Sequence, residues 1–155
     1  MLYFILKYVH IISSTLIFGT GLGSAFYMWR ANQSKNLQAM QFAARNVVIA
    51  DWVFTTPAII IQPITGLWLM HILHYPFTSK WIMWSLGLYV FAGVCWLPVV
   101  WLQIKMHQLL IMPEVAESIG LSKRYVTYER LWFYLGWPAF IAVLIIFYLM
   151  IFKPI

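Results

Sequence analysis

A lysine and a histidine stand one helical turn apart inside the first apolar segment of the chain. Lys7 and His10 belong to the stretch 2–29, which is long and apolar enough to cross a bilayer. An ionisable side chain inside a membrane span is costly and by default marks a functional site. An imidazole with no acidic residue close by in the sequence is first a candidate metal or haem ligand.

A second histidine approaches the same side of the membrane from the opposite direction. His71 follows Gly66-Leu-Trp-Leu-Met in the second apolar segment, and His10 lies about 12 Å along its helix from the outer end. Facing histidines commonly hold haem b in helix bundles. We therefore expect haem b between the first two spans, with His10 and His71 as iron ligands. The alternative is that His10 only forms a hydrogen bond with a neighbouring span.

Small and polar residues continue the face of the first span that carries His10. Positions three or four residues apart share a helix face, so Lys7 and His10 are followed by Ser14 and Gly21. We expect Ser14 and Gly21 to leave room for the cofactor and Lys7 to pair with a haem propionate. Gly19-Thr-Gly21-Leu-Gly23 also contains the G-x-x-x-G spacing, which favours close helix contact instead.

The composition decides the class of protein. Of 155 residues, 63% are hydrophobic and 9% charged, whereas soluble domains have about a quarter charged residues. Apolar runs of about 20 residues indicate membrane-spanning helices, and the alternating pattern of a membrane barrel is absent. The net charge of +6 resides in short loops, which excludes nucleic acid as the expected partner. The expected partner is the lipid bilayer.

The apolar segments predict an all-α integral membrane four-helix bundle. The expected spans are about 2–29, 51–74, 80–102 and 128–152, and a short amphipathic helix over 37–50 precedes the second span. Without water as a hydrogen-bonding partner, helices joined by short loops are the economical solution. We expect a single domain over residues 1–155.

Basic residues set the expected orientation. Three lysines fall on the side of the two termini and seven basic residues on the other side. The positive-inside rule places the richer side in the cytosol. We therefore expect a multi-pass protein of the bacterial inner (plasma) membrane with both termini outside. The three are Lys7, Lys80 and Lys153; the seven are Arg30, Lys35, Arg45, Lys105, Lys123, Arg124 and Arg130.

Charged residues near the cytosolic edge predict a structural ion-pair network. Asp51 opens the second span, and Glu129 and Arg130 open the fourth. Arg30 and Arg45 fall at a similar depth, and acidic residues are favourable at helix N-termini.

Several short motifs carry a resemblance to a known family. The motifs are Leu6-Lys7-x-x-His10-Ile-Ile, Thr56-Pro57-Ala58, Gly66-Leu-Trp-Leu69, Arg130-x-Trp132 and Lys153-Pro154. In order along the chain, they resemble the HemJ-type protoporphyrinogen oxidases, which are small four-helix membrane haem proteins. The Gly-Thr-Gly-x-Gly run resembles more closely a related group of uncharacterised predicted integral membrane proteins.

The resemblance implies more about the cofactor than about the reaction. The haem-ligating histidine of the family falls on His10. Its functional lysine falls near Ser85, and a later histidine of the same span falls near Trp96. The resemblance therefore implies haem binding with or without oxidase activity.

The resulting expectation is a haem-b-binding membrane protein with a redox or electron-transfer role. If it is an enzyme, it is an oxidoreductase of the protoporphyrinogen oxidase type, handing electrons to quinone or a respiratory complex. The alternatives are a non-catalytic subunit or assembly factor of a membrane complex, or a small metal or solute transporter; a homo-oligomer is also compatible. None of the eight methionines forms an i, i+4 pair, which counts against copper transport.

Overall fold

The computed structural model describes residues 1–112 and 123–154, and these residues are helical with short connections. Helix α1 runs over Leu2–Ser34, α2 over Leu37–Ala50, α3 over Thr56–Ile72, α4 over Lys80–Leu110 and α5 over Lys123–Phe152. A π-helical turn, Asp51–Thr55, joins α2 to α3.

The predicted four-span bundle is confirmed within the described residues. Four continuous segments are long and apolar enough to cross a membrane: Leu2–Ser34, Leu37–Ile72, Lys80–Leu110 and Lys123–Phe152. Three of the four helices extend beyond the predicted spans at the end opposite the two termini, because their last or first turns carry polar residues without a helix breaker. The predicted amphipathic helix is present as α2, but it continues into the second span.

The π-helical turn places two polar side chains inside the bundle. The Thr56 N–H donates to the carbonyl oxygen of Asp51, five residues back, and Pro57 has no N–H to offer the preceding turn. Such single π turns often occur at functional sites. Asp51 and Thr55 are both buried, so this irregular turn directs a carboxyl group and a hydroxyl group inward.

The helices form two pairs. Helix α1 packs along α3, and α4 packs along α5. We call the end with residue 1 and the start of α4 the terminal end, and the opposite end the loop end. At the loop end α2 packs on both α1 and α4, whereas α1 and α5 meet at few positions.

The tightest packing lies at the loop end. Tyr125 is fully buried and donates a hydrogen bond to Asn32 Oδ1 at 2.7 Å. The Gln41 amide donates to the Leu110 carbonyl at 2.7 Å, which connects α2 to the end of α4. These contacts hold the two helix pairs together at one end and leave a space between them in the membrane interior. The fully buried large side chains are Tyr125, Met28, Met40, Met106 and Leu110.

Candidate functional site

His10 is held by side chains of α3. Its Nδ1–H donates to Thr65 Oγ1 at 2.9 Å, and the Gln62 amide donates to its Nε2 at 3.2 Å. The Thr65 hydroxyl itself donates to the Ile61 carbonyl at 2.8 Å, which leaves its oxygen free to accept from the ring. Both imidazole nitrogens therefore have protein partners.

Two further residues complete the contact around His10. The Ser13 hydroxyl, 3% exposed, donates to Gln62 Oε1. A Cβ atom added at Gly66 would lie 3.0 Å from His10 Cε1. The imidazole thus lies directly against the α3 backbone, and a side chain at position 66 would require the ring or the helix to shift.

His71 does not join this cluster. It follows Gln62 by nine residues, which places it about 180° around α3, and it is exposed. The two histidines therefore do not face one another. The residues present do not fit a haem iron between α1 and α3, because the ring nitrogens of His10 are engaged and no space separates its ring from Gly66.

The other residues expected beside His10 have separate positions. Lys7 is exposed, with Nζ 5.8 Å from the centroid of the Tyr3 ring. Ser14 donates to the Ile11 carbonyl of its own helix at 2.8 Å. Ser13, which is three residues from His10, takes the place expected for Ser14; the same spacing rule could have found it.

Gly21 lines a cavity between the two helix pairs. The cavity has a volume of about 370 Å³ and lies between α1, α4 and α5, with the π-helical turn at its edge. That volume is within the usual range of ligand pockets. Gly21, Gly93 and Gly136 come from the three helices in turn, and a Cβ atom at any of them would meet nothing within 4 Å.

Of the glycine run of α1, Gly21 lines the cavity, and none of its three glycines brings a described helix close. Added Cβ atoms at Gly19 and Gly23 would also find nothing within 4 Å. The G-x-x-x-G spacing predicted a close helix contact that does not form among the described residues. The alternative, that a missing side chain leaves room, describes Gly21.

Aromatic rings form much of the cavity wall. Phe18 of α1 stacks on Phe140 of α5 with ring centroids 5.0 Å apart, and Trp137 meets Phe140 edge-on at 6.2 Å. Trp96 of α4 lines the opposite side. Phe18 and Phe140 lie among the lining residues nearest the terminal end.

A buried carboxyl group lies at the loop-end side of the cavity. Asp51 is 4% exposed, and its Oδ1 accepts from the Thr55 hydroxyl at 2.9 Å. With its amide turned to satisfy both neighbours, Gln103 donates to Asp51 Oδ2 at 2.6 Å and accepts from Trp132 Nε1 at 3.2 Å. Asp51, Thr55, Gln103 and Trp132 form what we call the Asp51 cluster.

The Asp51 cluster differs from the predicted ion-pair network. Within the described residues, the hydrogen bonds of Asp51 go to the neutral side chains of Thr55 and Gln103. Each carboxyl oxygen has a second lone pair available. Tyr89, which also lines the cavity, donates its hydroxyl to the Ile59 carbonyl and keeps an acceptor oxygen. The cavity therefore favours a ligand that donates hydrogen bonds.

Sequence reasoning missed most of these groups. Thr55 belongs to a π-helical turn and Pro57 follows it, and their spacing does not reveal that turn. Nothing in the sequence distinguishes Gln103 or Tyr89. Ser85 is buried and donates to the Trp81 carbonyl at 2.6 Å, so its hydroxyl group has its hydrogen-bond partner within α4. In residues 1–112 and 123–154 no group of three or more His, Cys, Asp or Glu could hold a metal ion.

The chain matches the model of a known protein family. The model of the family described as "Predicted integral membrane protein (DUF2269)" matches residues 4–154. No curated protein and no solved structure matches the chain.

Replacing Gly66 with alanine is expected to weaken the contact between α1 and α3. The new Cβ would lie 3.0 Å from His10 Cε1, and overpacking of this kind typically costs about 1–3 kcal/mol. Gly87→Ala is the matched control, because nothing lies within 4 Å of its added Cβ. Thermal unfolding in detergent should show Gly66→Ala less stable than Gly87→Ala.

The same measurement in the His10→Ala background tests whether contact with the His10 ring causes this loss of stability. Without the imidazole, an alanine at position 66 has room, so His10→Ala should abolish the difference between Gly66→Ala and its parent. An equal loss from Gly66→Ala in both backgrounds would contradict the packing of His10 against α3.

Proposed function

The chain belongs to this family of predicted integral membrane proteins, and from the geometry of the cavity we propose that it binds a metal-free tetrapyrrole inside the membrane. The observation that carries the proposal is a glycine-widened, aromatic-walled cavity with one buried carboxyl group at its edge. The ligand class is that of porphyrinogens and porphyrins, in which the pyrrole N–H groups carry no metal.

The shape of the cavity supports a flat ring. Gly21, Gly93 and Gly136 remove side chains from three helices around one space, and aromatic side chains stack favourably on flat conjugated faces. The volume of about 370 Å³ is within the usual range of ligand pockets.

The hydrogen-bonding groups support a donor ligand over an acceptor ligand. Asp51 and Tyr89 offer acceptor oxygens, whereas the Trp132 N–H and the Tyr89 hydroxyl are already donated to protein groups. The pyrrole N–H groups of a porphyrinogen, whose sp3 bridging carbons let the four rings tilt out of a common plane, would donate to the Asp51 carboxyl. A quinone offers only carbonyl acceptors, so it fits the same groups less well.

The proposed ligand is a tetrapyrrole ring without iron. Haem b has no pyrrole N–H, and His10 does not line the cavity. Haem ligation by His10 would require the Gln62 amide to leave Nε2. The metal-free ring agrees with the resemblance to porphyrinogen oxidases, and oxidation of such a ring would need an acceptor such as membrane quinone.

Filling the cavity should abolish ligand binding. Gly93→Leu places a branched side chain where an added Cβ now meets nothing, and Gly87→Leu puts the same side chain on α4 outside the cavity. Quenching of tryptophan fluorescence by protoporphyrin IX should saturate for the parent and for Gly87→Leu. We expect Gly93→Leu to bind about tenfold more weakly or worse, the equivalent of about 1.4 kcal/mol.

Two results of this titration would contradict the proposal. One is quenching that never saturates in the parent protein. The other is equal binding by Gly93→Leu and Gly87→Leu. Tighter binding of haem b than of protoporphyrin IX would contradict the role given to the ring N–H groups.

We also propose that the protein lies in a bacterial inner membrane with both termini outside. The terminal end carries three basic residues and the loop end seven, and positive loops are retained in the cytosol. A periplasm-active reporter fused after Lys153 should be active, and the same reporter inserted after Lys35 should be inactive. The reverse pattern would contradict this orientation.

A further inference from the structure

A groove separate from the cavity runs between α4 and α5 at the terminal end. It has a volume of about 380 Å³, and its lining includes Lys80, Trp81, Trp84, Leu88, Ile145 and Leu149. The α4 residues share one helix face at spacings of three and four, and the α5 residues stand four apart. We call it the terminal groove; its mouth is basic and its interior is apolar.

A second lysine is held at the mouth of the terminal groove. Lys153 Nζ donates to the Tyr75 hydroxyl at 3.2 Å and lies 5.0 Å from the centroid of the Tyr75 ring. It lies 5.6 Å from the centroid of the Trp81 ring, which is itself part of the groove wall. The aromatic rings position this ammonium group beside the groove that Lys80 also lines.

No acidic side chain belongs to this end of the chain. The sequence has four Asp and Glu residues, and none of them falls within 1–10, 70–90 or 140–155, the segments that form the terminal end. Lys80 and Lys153 therefore have no Asp or Glu counter-ion available in these segments. An anion from the membrane surface would complement them.

We propose that the terminal groove binds one anionic phospholipid. Its phosphate lies between the ammonium groups of Lys80 and Lys153, and one acyl chain lies along Leu88, Ile145 and Leu149. From Lys80 to Leu88 the groove follows α4 for about 12 Å, which accommodates the first part of an acyl chain. Basic residues near a membrane surface each contribute about fivefold to anionic lipid binding.

The test measures lipid retention by the purified full-length protein. Native mass spectrometry after incubation with phosphatidylglycerol or with phosphatidylcholine of the same acyl chains should show one retained phosphatidylglycerol. The double variant Lys80→Gln/Lys153→Gln should bind it roughly tenfold to thirtyfold more weakly. Lys7→Gln is the matched control, because Lys7 is also exposed at the terminal end beside a tyrosine ring.

A second variant tests the apolar part of the site. Leu88→Trp fills the groove while leaving both lysines in place, and it should also lose the retained lipid. The proposal is overturned if phosphatidylcholine is retained equally well, if Lys7→Gln weakens binding as much as the double variant, or if equimolar inorganic phosphate displaces the lipid. Because neither lysine lines the cavity between the helix pairs, these results are independent of tetrapyrrole binding.

Discussion

The packing of α2 against both helix pairs is the contact on which the rest of the structure depends. It joins α1 and α3 to α4 and α5 at the loop end, where the largest fully buried side chains lie. In lipid, apolar surfaces gain nothing by leaving a hydrocarbon solvent, so helices stay together through close packing and hydrogen bonds. Here both are concentrated at one end. The two pairs therefore need not close along their length, and a cavity can persist between them.

The need to satisfy polar groups within a membrane explains why the half-buried His10 and the buried Asp51 have different roles. His10 has a protein partner at each ring nitrogen and lies against Gly66. It acts as a contact between α1 and α3. Asp51 also has two partners, yet its carboxyl oxygens keep acceptor capacity beside an open space. Of the two, Asp51 is the group that a ligand could reach.

The sequence predicts the class, the number of spans and the short amphipathic helix, because these depend on apolar length and periodicity. It also identifies Gly21 as a residue that leaves room. The partners of His10 and Asp51 depend on how each helix is rotated about its own axis relative to its neighbours. The apolar pattern does not specify that rotation, because most sides of each helix face lipid. The π-helical turn rotates Asp51 inward, whereas its position at a helix start suggested an ion pair. The expected pairing of His71 with His10 fails for the same reason, because the sequence indicates the depth of a residue along a helix but not the direction in which it points from the helix axis.

The spectrum of the protein as purified tests the central claim most directly. The protein should be expressed in cells supplied with a tetrapyrrole precursor and isolated in mild detergent. After exposure to air, the account predicts porphyrin absorption that co-elutes with the protein and emits porphyrin fluorescence, because air oxidises a bound, colourless porphyrinogen to the fluorescent metal-free porphyrin. A colourless protein would contradict it. So would a non-fluorescent haem spectrum that His10→Ala abolishes, because that result would place iron on the imidazole that Thr65 and Gln62 hold in this structure.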